Sequence, residues 1–114
     1  MWKFVAPQLP VRDPEAAALW YRDVIGLKAG FSRPEFASVR DDAVELFLAR
    51  AEAPGHPVTC AVRVDDADGL YAIYRERGVE IVEPIANRVW GVREFTLCDP
   101  DGHRFRVGHP TRGR

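Results

Sequence analysis

No apolar run in this chain approaches the roughly 18 residues that a membrane-spanning helix needs, so no span is expected. The opening MWKFVAPQLP carries one lysine and no apolar stretch of signal-peptide length, which predicts a cytoplasmic protein. Cysteine is scarce: Cys60 and Cys98 are the two present, neither belongs to a CxxC pair, and both sit in strand-like runs. That excludes a disulfide framework and reads as two buried, reduced thiols. Charge of one sign is also missing, since 16 basic and 17 acidic residues leave a net charge of -1. Nothing therefore predicts nucleic-acid binding through a basic stripe or an acidic tail. There is no GxSxG elbow, no glycine-rich phosphate loop and no cysteine with an evident base beside it. What is present is 114 residues with 46% apolar content, enough for a single domain over 1–114 that buries about two-thirds of its unfolded surface.

The chain repeats itself. In VRDPEAAALWYRDVIGL, Asp13 is placed to cap a helix, Pro14 fits its first position, Glu15 complements its dipole and Gly26 stops it. Ala16, Ala17, Trp20, Tyr21 and Val24 recur at helical spacing, so Trp20 is expected in the core. A second copy, VRVDDADGLYAIYRERGVEI, offers Asp65, Asp66 or Asp68 as the cap, an apolar stripe of Leu70, Ile73 and Tyr74, and Gly78 as the stop. Laying Val11 on Val64 also pairs Asp13 with Asp66, Tyr21 with Tyr74, Arg22 with Arg75 and Asp23 with Glu76. Three strand-like runs follow each helix: Leu27–Phe31, Phe36–Arg40 and Ala43–Ala49, then Glu80–Val82, Arg93–Cys98 and His103–Val107. The expected class is α+β, two tandem βαβββ units over 1–52 and 57–114 joined by the linker Glu52–Pro57. One helix per unit covers one face of a curved, partly open mixed sheet, and the other face stays concave.

Alternation along each strand divides its side chains between those faces. Val44, Leu46 and Leu48 form the set facing the helix, which sends Glu45 and Phe47 to the concave side. Phe95 and Leu97 are expected in the core, with Glu94 and Thr96 opposite. Phe105 and Val107 point inward, leaving Arg104 and Arg106 in the groove. Cys60, Val62 and Val64 read as core; Thr59, Ala61 and Arg63 read as concave. Glu45 and Glu94 could serve as an acid and base pair, but neutralisation by Arg63 or Arg106 is the favoured reading. His56, His103 and His109 fall outside the core patterns and are expected as exposed loop residues.

The twin pattern, LPVRDPEAAALWYRDVIGL early and WGVREFTLCDPDGHRFRV late, resembles the vicinal oxygen chelate superfamily of glyoxalases, extradiol dioxygenases and bleomycin-resistance proteins, and the last of these branches most. In metal-using members four concave-face side chains hold a divalent ion. The resemblance places those corners at Ala6, Glu45, Thr59 and Arg106. Ala6 and Thr59 are also related by the internal repeat. Only Glu45 is a ready ligand and a catalytic site needs about three, so no metal, no cofactor and no catalytic residue is expected.

What the resemblance implies instead is a homodimer whose grooves hold a small molecule, such as a bleomycin-type antibiotic, between aromatic rings without altering it. The expected ligand-binding residues are Phe31, Phe36, Glu45, Phe47, Thr59, Arg63, Trp90, Glu94 and Arg106, with Trp2 and Phe4 on the first strand as neighbours. Two other classes remain open at this stage. One is a metal-dependent glyoxalase- or dioxygenase-like enzyme using other ligands, such as Glu45 with His103. The other is an interaction or regulatory module with no small ligand.

Overall fold

A computed structural model of the protein describes residues 1–53 and 55–111. Pro54, inside the expected linker, lies outside the described residues. The chain forms two compact units, Met1–His56 and Pro57–Arg114.

The first unit runs β1 (Gln8–Val11), α1 (Pro14–Trp20), β2 (Lys28–Ser32), β3 (Phe36–Asp41) and β4 (Val44–Arg50). The second runs β5 (Thr59–Arg63), α2 (Ala67–Glu76), β6 (Glu80–Asn87), β7 (Val92–Cys98) and β8 (Arg104–Pro110). Each unit is thus βαβββ, and each builds a four-stranded mixed sheet, ordered β1-β4-β3-β2 in one and β5-β8-β7-β6 in the other. In both, the first strand lies parallel to the last and the remaining pairs are antiparallel. The helix of each unit packs on its own sheet, α1 on β2, β3 and β4, and α2 on β6, β7 and β8.

The two helices start alike because the same cap chemistry starts them. Asp13 and Asp66 have nearly identical extended backbones, φ -139° and ψ 97° against φ -138° and ψ 90°. The Asp13 carboxylate accepts the amides of Glu15 and Ala16 at 3.1 and 3.2 Å, and the Asp66 carboxylate accepts that of Gly69 at 3.0 Å, satisfying donors that a helix start leaves orphaned. Glycine at 69 keeps the second cap open, since a Cβ there would lie 2.6 Å from Asp66 Oδ2. Asp66→Ala is expected to cost about 1 kcal/mol in urea unfolding, with Asp66→Ser recovering most of it.

The helices end differently. After Trp20 the first widens into a π-helical turn over Tyr21–Ile25, where the amides of Gly26 and Leu27 both reach the Tyr21 carbonyl at 3.0 Å before left-handed Gly26 stops the run. Tyr21, the first residue of that turn, is buried in the core, while Trp20 is half-buried, its ring edge-on to Tyr21 at 5.0 Å. Trp20 is therefore not the core residue its spacing predicts.

The first core comprises Leu9, Val11, Ala17, Ala18, Tyr21, Ala37, Val39, Leu46 and Leu48; the second comprises Ala67, Tyr74, Val79, Val92, Phe95, Leu97, Phe105 and Val107. Of the other expected core members, Val62, Val64 and Leu70 are half-buried, and two lie further out. Val44 is 39% exposed and Ile73 is 43% exposed. Val44 is the first residue of its strand, where the burial of β4 begins only at the next positions, and Ile73 sits on α2 between half-buried Leu70 and buried Tyr74. Cys60 and Cys98 are free thiols but half-buried rather than buried.

Two of the three histidines also depart from expectation. His56 is exposed, but His103 is 1% exposed and its Nδ1 accepts the Val58 amide at 3.0 Å. The DPDG turn puts it there: Asp99 Oδ1 accepts the amides of Asp101 at 3.0 Å and His103 at 2.7 Å, and Gly102 takes φ +92°. Half-buried His109 accepts the Ala67 amide through Nδ1 at 2.9 Å, at the start of α2. Both imidazoles staple the second unit by satisfying backbone donors that would otherwise be stranded.

Candidate functional site

The last hairpins of the second unit shape an open hollow. The β6–β7 turn is closed by the Arg88 amide on the Val92 carbonyl at 2.8 Å and by the Gly91 amide on the Arg88 carbonyl at 3.1 Å, with Gly91 at φ +83°. That turn projects Trp90, whose ring is 57% exposed. On β7, Glu94 and Thr96 share one face because they are two residues apart. Across the ladder, Thr96 stands opposite Arg106 and Glu94 opposite Gly108. Arg106 and Glu94 are therefore diagonal neighbours on antiparallel strands, within reach of long side chains.

They meet as an ion pair. Arg106 Nε donates to Glu94 Oε2 at 3.0 Å and its NH2 to Oε1 at 3.4 Å. The partners differ in exposure, the Glu94 side chain being 5% exposed and that of Arg106 40%. The Arg106 guanidinium also lies over the Trp90 ring, 5.6 Å from its centroid, a cation–π arrangement. Glu83, Arg88, Trp90, Glu94, Thr96 and Arg106 line a hollow of about 500 Å³. Gly108 makes the packing beneath it feasible, since a Cβ there would lie 2.7 Å from Glu94 Cβ and from the Arg93 carbonyl oxygen.

The structure brings three of the sequence-predicted site residues together here: Trp90, Glu94 and Arg106. Thr59 and Arg63 lie on β5, both exposed, and neither lines this hollow. Arg63 bonds the Val62 carbonyl at 3.3 Å, so the neutralising partner of Glu94 is Arg106. In the first unit Phe31, Phe36 and Phe47 join Phe4 in a run of rings. Centroids are 5.5 Å apart for Phe31 and Phe36, 5.2 Å for Phe36 and Phe47, and 6.1 Å for Phe47 and Phe4. Glu45 is half-buried on β4, opposite Arg40 in the strand register.

Glu83 and Arg88 were not among the expected site residues. The second unit's first hairpin strand reads from sequence as Glu80–Val82; in the structure β6 continues through Pro84 to Asn87. Proline is tolerated there because β6 is an edge strand and the ladder is irregular between Glu83 and Ala86. Reading Pro84 as an edge-strand proline would have carried the strand on to Arg88.

A family model described as the Glyoxalase/Bleomycin resistance protein/Dioxygenase superfamily matches residues 3–107. The chain belongs to this superfamily. Solved structures of similar fold include a bleomycin-binding protein from bleomycin-producing Streptomyces verticillus in complex with copper(II)-bleomycin. It is 25% identical with a TM-score of 0.75, covering 94% of this chain and 97% of that one. TioX from Micromonospora sp. ML1 is 22% identical with a TM-score of 0.83, covering 95% and 99%. A lactoylglutathione lyase from Agrobacterium tumefaciens is 19% identical with a TM-score of 0.78, covering 93% and 92%. Among curated sequences, an uncharacterized protein of Mycobacterium bovis is 28% identical over 78 residues, 65% of this chain and 51% of its own length. The chain spans about half the length of the curated relatives it matches.

The superfamily's metal-using members raise the question of whether this chain's residues fit a divalent ion. They do not fit one at the expected corners. The Ala6 methyl has no lone pair to give, and Arg106 brings a positive charge already engaged by Glu94. Glu45 and the Thr59 hydroxyl remain, short of the roughly three ligands a catalytic site uses. Among the described residues no three His, Cys, Asp or Glu side chains gather as a metal-binding group. Nucleophilic chemistry fares no better, because burial and then the Asp99 carboxylate push the Cys60 thiol up, and burial followed by nearby acids does the same to Cys98.

Proposed function

We propose that the protein is a non-catalytic small-molecule binder that holds a bleomycin-type antibiotic without altering it, as a cytoplasmic homodimer with one domain per chain. The observation that carries this reading is the setting of Arg106, the residue that the family resemblance puts where a metal enzyme needs a ligand. It is clamped by Glu94 and laid over Trp90, so the corner is furnished for contact with a flat molecule rather than for Lewis-acid chemistry. The Phe4–Phe47–Phe36–Phe31 run provides a further aromatic surface. Exposed Trp2, Phe4, Val5 and Phe31 make an apolar surface of the kind that association of copies covers.

Titrating the protein with bleomycin while following tryptophan emission tests the binding. Saturable quenching is expected, largely lost in Trp90→Phe, with the drug recovered intact afterwards. No saturable change up to high micromolar bleomycin removes that drug as ligand, and a chemically altered drug sinks the passive reading. Sedimentation of the free protein should give twice the chain mass.

A further inference from the structure

The charges lining the hollow are two glutamates and two arginines, which balance in number but not in pairing or screening, and that difference points to a ligand class. Glu94 is spent on Arg106 in a two-bond pair. Among the described residues Arg88 has no carboxylate partner: its Nη2 donates to two backbone carbonyls, Pro84 at 2.8 Å and Glu94 at 3.4 Å. Those bonds orient the guanidinium without neutralising it. Glu83 is the other lining ion, and it is exposed on the edge strand, where water screens a carboxylate strongly; Arg88 is half-buried, where its field is less screened. The ring lining the same hollow is that of Trp90, from the same hairpin turn as Arg88, with the neutralised Arg106 guanidinium against its face. A guanidinium held by carbonyls beside an indole presents a directed donor next to a flat apolar wall.

We infer that this hollow takes a planar aromatic molecule bearing a carboxylate or similar anion, with the ring on the Trp90–Arg106 surface and the anion on Arg88. Arg88 is then the residue that determines specificity. The inference rests on the small-molecule reading above but not on bleomycin as the ligand.

Three probes that share one ring separate charge from shape: 2-naphthoate, its neutral amide and 2-naphthylmethylamine, titrated calorimetrically at pH 7 beside bleomycin. Naphthoate should bind best, the amide about tenfold more weakly and the amine weakest, as one charge-assisted hydrogen bond predicts. Arg88→Gln should bring naphthoate down to the level of the amide, a loss of about tenfold. Arg88→Lys keeps the charge and should keep the order anion, neutral, cation, which guards against a misfolded hairpin in the glutamine variant. Equal binding of the three naphthalenes, a reversed order, or naphthoate binding undiminished in Arg88→Gln overturns the inference. Saturable bleomycin binding with no response to any naphthalene overturns it while leaving the small-molecule reading intact. No binding of any of the four compounds overturns both.

Discussion

Replacing His103 by alanine is expected to lower the unfolding free energy by about 3 kcal/mol, read as a drop in the urea midpoint at unchanged slope. Two losses add. The imidazole is among the largest fully buried side chains, so its removal leaves a void, and the Val58 amide loses the acceptor that Nδ1 supplies at 3.0 Å. A buried unsatisfied amide alone costs about 1–3 kcal/mol. His103→Asn should recover a measurable part, because its Oδ1 lies near the place of Nδ1; His103→Leu, which fills space without accepting, should recover less. If leucine proves as stable as histidine, the hydrogen bond contributes nothing and the role assigned to His103 is wrong.

Arg106→Ala should destabilise the protein by about 2 kcal/mol, whereas Glu94→Ala costs about 1 kcal/mol. The difference follows from exposure. Without Glu94, the arginine, 40% exposed, turns to water; without Arg106, the carboxylate, 5% exposed, is stranded. Adding Glu94→Gln to Arg106→Ala should therefore restore stability, because a neutral amide is cheaper to bury than a stranded carboxylate. Thermal unfolding of the single and double variants checks this. Equal costs for the two alanine variants would show that the pair is a solvent-screened surface contact.

Features set by short-range chemistry were legible before any coordinates. Asp13 and the cluster Asp65, Asp66 and Asp68 mark helix starts because a cap needs only its own residue and the next few amides, with Asp66 the one that caps, and the alternation of Leu46 with Leu48 and Phe105 with Val107 assigns buried faces strand by strand. The opposition of Arg106 to Glu94 was legible too, as one of two candidate arginines; choosing between them required the β7–β8 register, which sets Arg106 across from Thr96. What could not be read depends on distant partners. His103 is an ordinary polar residue after a turn until β5 brings Val58, 45 positions away, against it. The continuation of β6 past Pro84 to Asn87, next to Arg88, carries no local sequence mark, and neither does the π-helical turn over Tyr21–Ile25 that follows Trp20. Val44 failed because alternation fixes a side chain's direction but not how far the opposing layer extends.

Pro84 also bears on how copies of the chain can associate. It stands on the outermost strand of its sheet, with no amide hydrogen, at an irregular stretch of ladder. An incoming strand would find the row of donors interrupted midway, so end-on growth into fibrils is blocked at this border. A strand adding at this border would meet that break in the donor row, whereas the edge strands β1, β2 and β5 carry their own rows.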